Sequence, residues 1–120
     1  MKVTILLSTY NGEQFLAEQI KSIQEQTYRD WQLLIRDDGS TDGTWAVIED
    51  FCRKDDRISF INRENPQNLG VIQSFHSLLQ YQDSDFYLFS DQDDVWLPDK
   101  IAMQLAEADK YDSSQPLLVY

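Results

Sequence analysis

One cysteine, one histidine, three prolines and four glycines are spread over 120 residues. A single thiol, Cys52, excludes an intrachain disulfide framework and fits a reducing compartment. Positive charge is scarce too. Ten Lys and Arg against 21 Asp and Glu leave a net charge of −11, so a nucleic-acid backbone is repelled over most of the surface. No apolar run approaches the ~20 residues of a membrane span, and Met1-Lys2-Val3-Thr4 does not begin an apolar signal segment. These absences set the expectation of a soluble, cytoplasmic protein. Neither a P-loop lysine motif nor G-x-G-x-x-G occurs, which excludes a glycine-rich turn as the cradle for phosphate. Repeats, low-complexity tracts and linkers are also lacking, so residues 1–120 are expected to form one domain.

What is present is an alternation of apolar strands and amphipathic helices. Lys2–Leu7 and Trp31–Ile35 read as buried strands that stop at the polar turns Ser8–Gly12 and Arg36–Gly43. Ile58–Ile61 and Phe86–Phe89 have the same character. Between them, Leu16, Ile20 and Ile23 give one apolar helical face, and Trp45, Ile48 and Cys52 give a second. Ile72, Phe75 and Leu79 mark a third helix over Gly70–Tyr81. Ile101, Leu105 and Ala108 mark a fourth, opened by Pro98 and Asp99 in its first turn. Leu117–Tyr120 reads as a further strand whose free edge favours self-association. Four strand–helix alternations predict a three-layer α/β sandwich with a mostly parallel, Rossmann-like sheet. In such sheets ligands bind outside the carboxyl ends of the strands. The segments leaving those ends are Ser8–Gly12, Asp37–Gly43, Asn62–Leu69 and Ser90–Asp94, and they hold every polar cluster suited to chemistry. The opposite connections, such as Lys54-Asp55-Asp56-Arg57, read as bland.

The densest cluster follows the aromatic run Phe86-Tyr87-Leu88-Phe89. Asp91, Asp93 and Asp94 place three carboxylates in four positions. Oxygen ligands at this density suit a hard divalent cation, and such an ion would turn an acidic rim into a seat for a diphosphate. Asp91-Gln92-Asp93 therefore reads as a D-x-D metal–diphosphate motif, with Mn²⁺ or Mg²⁺ as cofactor. Asp38, in the pair Asp37-Asp38, could accept from a nucleobase N–H or a ribose hydroxyl. Helix capping explains Ser40, Thr41 or Asp42 and could absorb Asp37. His76 and Cys52 read as packing or surface residues, and Trp31 and Trp45 as core. Trp96 fits core and site equally.

Three stretches now stand in order: V-T-I-L-L-S-T-Y-N-G (Val3–Gly12), I-R-D-D-G-S-T-D-G-T (Ile35–Thr44) and F-S-D-Q-D-D-V-W-L-P (Phe89–Pro98). Together they resemble the nucleotide-sugar-binding half of glycosyltransferase family 2, and the third is similar to its rhamnosyltransferase-like members. The resemblance implies a truncated nucleotide-diphospho-sugar transferase fold. It also implies a UDP- or dTDP-sugar donor, with dTDP-rhamnose a candidate, and a saccharide or glycolipid acceptor for inverting transfer. Ser8 and Tyr10 would line the nucleobase pocket, Asp38 would bond the base, and Asp37 would support that loop. Asp91 would face the ribose and donor sugar, Asp93 would be the main metal ligand, and Asp94 and Trp96 would shape the sugar pocket. The catalytic base is expected downstream of residue 120, so the chain alone should bind donor without transferring it. Many members of that family carry a basic residue near the start of the third helix, where this sequence has Gln73-Ser74-Phe75-His76.

Two other chemistries compete. Asp91-Gln92-Asp93-Asp94-Val95 spells the D-x-D-x-[TV] of a haloacid-dehalogenase-like phosphatase, with Asp91 as nucleophile and Asp93 as acid/base. That motif usually opens its domain, whereas three strand–helix units precede it here. A receiver-like signalling module would need its acidic pair after the first strand, where this chain has Ser8-Thr9.

Overall fold

Apolar side chains at both parities of a strand demand cover on both faces of a sheet, and the computed structural model supplies it. It describes residues 2–64, 67–90, 94–108 and 117–119. The elements run β1 (Val3–Thr9), α1 (Leu16–Gln24), β2 (Trp31–Asp37), α2 (Thr44–Lys54), β3 (Ile58–Phe60), α3 (Val71–Tyr81), β4 (Phe86–Ser90), α4 (Lys100–Ala108) and β5 (Leu117–Val119). The strands lie in the order β3-β2-β1-β4-β5, and every pairing among the described residues is parallel. The chain winds outward from β1 to β3 and then returns to place β4 on the other side of β1. That reversal is the topological switch point, where α/β sheets hold their ligands.

Side-chain alternation sorts the core into two halves. Val3, Ile5, Leu7, Trp31, Leu33, Ile35, Phe86 and Leu88 face α1, α2 and α4, meeting Leu16, Ile20, Ile23, Ile48 and Ile101. On the other face Leu6, Leu34, Tyr87 and Phe89 meet Leu78, with Phe75 and Leu79 packed alongside. The three-layer α/β expectation holds.

Several local expectations change. β1 and β2 each run two residues past the predicted polar stop, because Ser8 pairs with Arg36 and Thr9 with Asp37 inside the ladder. Thr9 bonds Asp37 directly, and Ser8 and Arg36 both donate to Ser74, so these buried polar side chains are paired. The inward face of α3 is carried by Ser74 and Leu78, both fully buried, while Ile72 is 80% exposed. Trp45 is half-buried rather than core and packs edge-to-face on Phe60. Pro98 and Asp99 form the turn before α4, and the Asp99 carbonyl accepts the first helical bond, from the Met103 amide. Ala108 belongs to α4, but its side chain lies outside the described ones.

The amino edge is less bland than it reads. Arg57 grips Asp55 with Nε and Nη2, at 3.0 and 2.9 Å, and lays its guanidinium 3.9 Å from the Trp31 ring centroid. Bonds from Arg57 and Gln24 hold the Asp55 carboxyl down at about 2.

Candidate functional site

The carboxyl ends of β1 and β2 are joined by two interlocked loops. Asn11 takes a left-handed φ of 48°, a conformation asparagine tolerates, and this turns its side chain onto the neighbouring loop. Its Oδ1 accepts the Thr41 amide while its own amide donates to Ser40 Oγ. Gly12 N–H donates to Thr44 Oγ1, the Glu13 amide donates to Asp42 Oδ2 across the gap, and Gly43 N–H donates back to Glu13 Oε1. Asp42 Oδ1 also accepts from the Thr44 amide and hydroxyl at the head of α2, and these bonds lower its pKa. Capping thus falls to Asp42 among the three residues named for it.

The pair Asp37-Asp38 is split by strand alternation onto opposite faces of the sheet. Asp37, fully buried, turns toward α2. Oδ1 accepts from Thr9 Oγ1 and Ser40 Oγ at 2.8 and 2.6 Å. Oδ2 accepts from the Gly39 and Ser40 amides and from Trp45 Nε1, at 3.1, 2.7 and 2.7 Å. Five donors fill the acceptor capacity of one carboxylate, so Asp37 is spent on holding its loop. Asn62 completes the brace, accepting the Asp37 amide on Oδ1 and donating Nδ2 to its carbonyl.

Asp38 turns toward α3. Its Oδ1 accepts from Arg36 Nη1 at 2.8 Å and from the Leu69 amide at 2.7 Å, and Oδ2 accepts from the Gly70 amide at 3.0 Å. The carboxylate thereby sits at the N-terminus of α3, where the helix dipole favours it. Gly70 holds a φ of 84°, and a side chain there would strain the backbone that aims the amide. Arg36 is itself buried, and it also donates to Ser74 Oγ at 3.1 Å and to the Gln67 carbonyl at 2.6 Å. Ser8 Oγ donates to the same Ser74 oxygen at 2.6 Å. Ser8 and Asp38, proposed from sequence as neighbours in one pocket, are therefore linked through Ser74 and Arg36.

Neither Arg36 nor Ser74 was singled out from the sequence. The usable signal was spacing: Arg36 and Asp38 stand two apart at the end of a strand and so share a face. Gln19 was missed as well. It lies fully buried on the apolar face of α1 and donates Nε2 to Ser90 Oγ at 2.9 Å, fixing the last residue of β4.

The remaining sequence candidates are dispersed. Tyr10 stands 47% exposed on the β1 loop. Asp91 and Asp93, the D-x-D carboxylates, lie outside the described residues, and among the described residues no cluster of three metal-ligating side chains occurs. Asp94 is exposed, whereas Trp96 joins the α1–α4 half of the core with Lys100 Nζ 5.1 Å from its ring centroid. Both border a groove of about 430 Å³ with Leu97 and Met103. His76 is a surface residue and Cys52 is half-buried, its thiol pushed up by burial. No described helix is long and apolar enough to cross a membrane.

Comparison with known proteins places this geometry. The family model "Glycosyl transferase family 2" matches residues 4–118. The UDP-Glc:alpha-D-GlcNAc-diphosphoundecaprenol beta-1,3-glucosyltransferase WfgD of Escherichia coli is 34% identical over 104 residues, covering 87% of this chain and 40% of that protein. The dTDP-rhamnosyl transferase RfbG of Shigella flexneri is 39% identical over 98 residues, covering 79% of this chain and 34% of its own length. Among solved structures, S. aureus TarS 1–349 in complex with UDP-GlcNAc superposes with a TM-score of 0.80 at 26% identity, over 92% of this chain and 32% of that one. The chain thus spans no more than two fifths of these relatives. The phosphatase and receiver alternatives give way, and the chain belongs to glycosyltransferase family 2.

Proposed function

We propose that residues 1–120 bind the nucleoside-diphosphate part of a sugar donor at the switch point between β1 and β4. The chain would form the donor half of an inverting hexosyltransferase of polysaccharide biosynthesis. The observation that carries this is the buried polar cluster Ser8, Arg36, Asp38 and Ser74, built where this sheet order places a ligand. Burying so many polar groups costs stability unless they are paired, and here each is held in place by the others. The donors named for relatives, UDP-glucose, UDP-GlcNAc and a dTDP-rhamnosyl group, support a uridine or deoxythymidine diphosphate sugar.

Within this reading Ser8, Tyr10 and Asp38 contact the base, and Asp37 keeps the loop in place. Asp94 and Trp96 border the sugar. Asp91 and Asp93 are assigned as ligands of Mn²⁺ or Mg²⁺. The donor chemistry suits a hard cation. β4 ends at Ser90, paired with Leu7, so the chain enters the motif at the same edge as the Ser8–Gly12 loop. Such an ion supplies charge neutralisation to a departing diphosphate. The acceptor, a saccharide or glycolipid, and the base that deprotonates its hydroxyl are assigned outside residues 1–120, and the enzyme is placed at the cytoplasmic face of the membrane. Self-association through β5 is the accompanying proposal for the free sheet edge, and a clean monomer by gel filtration at high concentration would refute it.

Calorimetric titration with UDP, dTDP and GDP, each with and without manganese, tests the core of the proposal. Saturable binding of UDP or dTDP that strengthens with manganese is expected. Absence of binding by all three would overturn it.

A further inference from the structure

A helix that only covered the sheet would need Leu16, Ile20 and Ile23 on its inward face, and α1 has them. It buries three polar residues as well: Gln19, Ser22 and, in the turn that ends the helix, Gln26. Buried amides and hydroxyls cost stability unless each is paired. Each of the three finds a partner on a flank of the acidic segment. On the entering side, Gln19 Nε2 donates to Ser90 Oγ at 2.9 Å. On the leaving side, Ser22 spends its proton on the Gln19 carbonyl at 2.6 Å and accepts the Trp96 amide at 3.0 Å. Gln26 donates Nε2 to the Leu97 carbonyl at 2.6 Å and accepts the Ile101 amide on Oε1 at 3.0 Å. The Thr27 amide donates to the Pro98 carbonyl at 2.8 Å. The two flanks differ in what else secures them. Ser90 is also held by its ladder with Leu7. Residues 94–97 are neither strand nor helix, so their backbone depends on partners such as Ser22 and Gln26. The Ile101 amide lies in the first turn of α4, where a helix has no carbonyl of its own to offer, and Gln26 fills that place from outside.

We infer that Ser22 and Gln26 are positioning residues for the acidic segment, clamping its leaving flank to α1 so that a divalent cation strengthens nucleotide binding. This rests on the donor-binding reading above, in which Asp91 and Asp93 hold the ion, and adds two residues that touch neither ion nor nucleotide. Carboxylates gathered on one short segment bind a cation well only if the segment is held ready, because ordering it on binding subtracts from affinity. The clamp supplies that order from a rigid element. α1 is buried against the sheet through Leu16, Ile20 and Ile23, so its polar side chains present fixed acceptors and donors to a backbone that has no ladder of its own. Gln19 is the lesser anchor, since β1 already secures its flank.

The experiment is calorimetric titration with UDP or dTDP, whichever the wild type binds more tightly, with and without manganese, accompanied by thermal melts. The chains are the wild type, Ser22→Ala, Gln26→Met and the control Gln24→Ala, which removes an α1 bond to Asp55 at the amino edge. The quantity read is the manganese enhancement, the ratio of Kd without the metal to Kd with it. It should fall about threefold in Ser22→Ala and about tenfold in Gln26→Met, and stay at the wild-type value in Gln24→Ala. Metal-free Kd should stay within about twofold throughout, a split that loss of stability alone does not produce. Where metal-free binding is too weak to titrate, the manganese concentration giving half-maximal nucleotide binding is read instead, and should rise by the same factors. Cooperatively melting variants with the wild-type enhancement overturn the inference and leave the donor-binding reading standing. So do variants in which metal-free and metal-bound affinities fall in step. A wild type that binds nucleotide with no gain from manganese overturns the inference together with the metal assignment, and one that binds neither nucleotide overturns the underlying reading itself. If Gln26→Met does not melt cooperatively, Ser22→Ala decides alone.

Discussion

Each edge of the sheet carries an arginine–aspartate pair two residues apart, and the two pairs serve different ends. At the amino edge Asp55 and Arg57 meet at 2.9 Å, with about a third of the arginine side chain still in solvent. The arginine caps Trp31 and the aspartate ties down the turn into β3. At the carboxyl edge Arg36 and Asp38 meet at 2.8 Å with 5% and 8% of their side chains exposed, and their spare bonds run to Ser74, Gln67 and the start of α3. The first pair fastens a turn that nothing else needs to enter. The second holds polar atoms away from water in the place where the sheet would receive a ligand, an expense that packing alone does not demand. Identical side chains can fasten a turn or build a buried cluster at the proposed site, depending on which end of the strands they flank.

The largest effect expected from breaking this contrast is at the carboxyl edge. Asp38→Ala strands a buried guanidinium and two amides, and should cost about 3–5 kcal/mol by chemical denaturation. The double replacement of Arg36 by Met and Asp38 by Leu should recover most of that stability, because an apolar pair needs no counter-charge, yet it should not restore nucleotide binding. A double variant that binds UDP like the wild type would erase the difference between the edges.

The amino edge should respond less, and to pH. Asp55 is held at about 2 in the folded chain, below the usual 3.8, so its stabilisation is complete above pH about 4 and drains away as pH falls toward 2. Asp55→Asn should cost about 1–2 kcal/mol at neutral pH and flatten that acid limb in melts recorded between pH 2 and 5. An unaltered limb in the variant would mean the pair is a surface ornament. Smaller still is Trp45→Phe, which removes one of five donors to Asp37 and should cost about 1 kcal/mol. Because Asp37 faces away from the proposed pocket, UDP affinity should change less than twofold.

Much of the architecture was legible because the apolar pattern was continuous. Leu16, Ile20 and Ile23, each wholly buried, announce α1, and the strand alternation announces two covered faces. The misread strand ends share one cause, which is polar atoms satisfied by partners far away in sequence. Ser8, Thr9, Arg36 and Asp37 look like turns until their partners are known, and those partners sit 28 to 66 residues away for Thr9 and Ser8. Ser74 hides the inward face of α3 because a small hydroxyl does not register as core, so Ile72 is taken in its place. Of the candidate site, Ser8 and Asp38 could be named from the order of motifs. Arg36 could not, since a strand that meets an arginine reads as ending unless the carboxylate two places on is recognised as sharing its face. The D-x-D carboxylates are prominent in sequence and lie outside the described residues.

The most direct test of the claim that the carboxyl edge is the donor site is a map of backbone amide shifts as UDP and manganese are titrated into the labelled chain. The account predicts saturable changes at Ser8–Gly12, Asp37–Ser40 and Leu69–Ser74, with Arg57, Gln82 and Ser84 at the amino edge unmoved. Changes concentrated at the amino edge, or none at any nucleotide concentration, would contradict it.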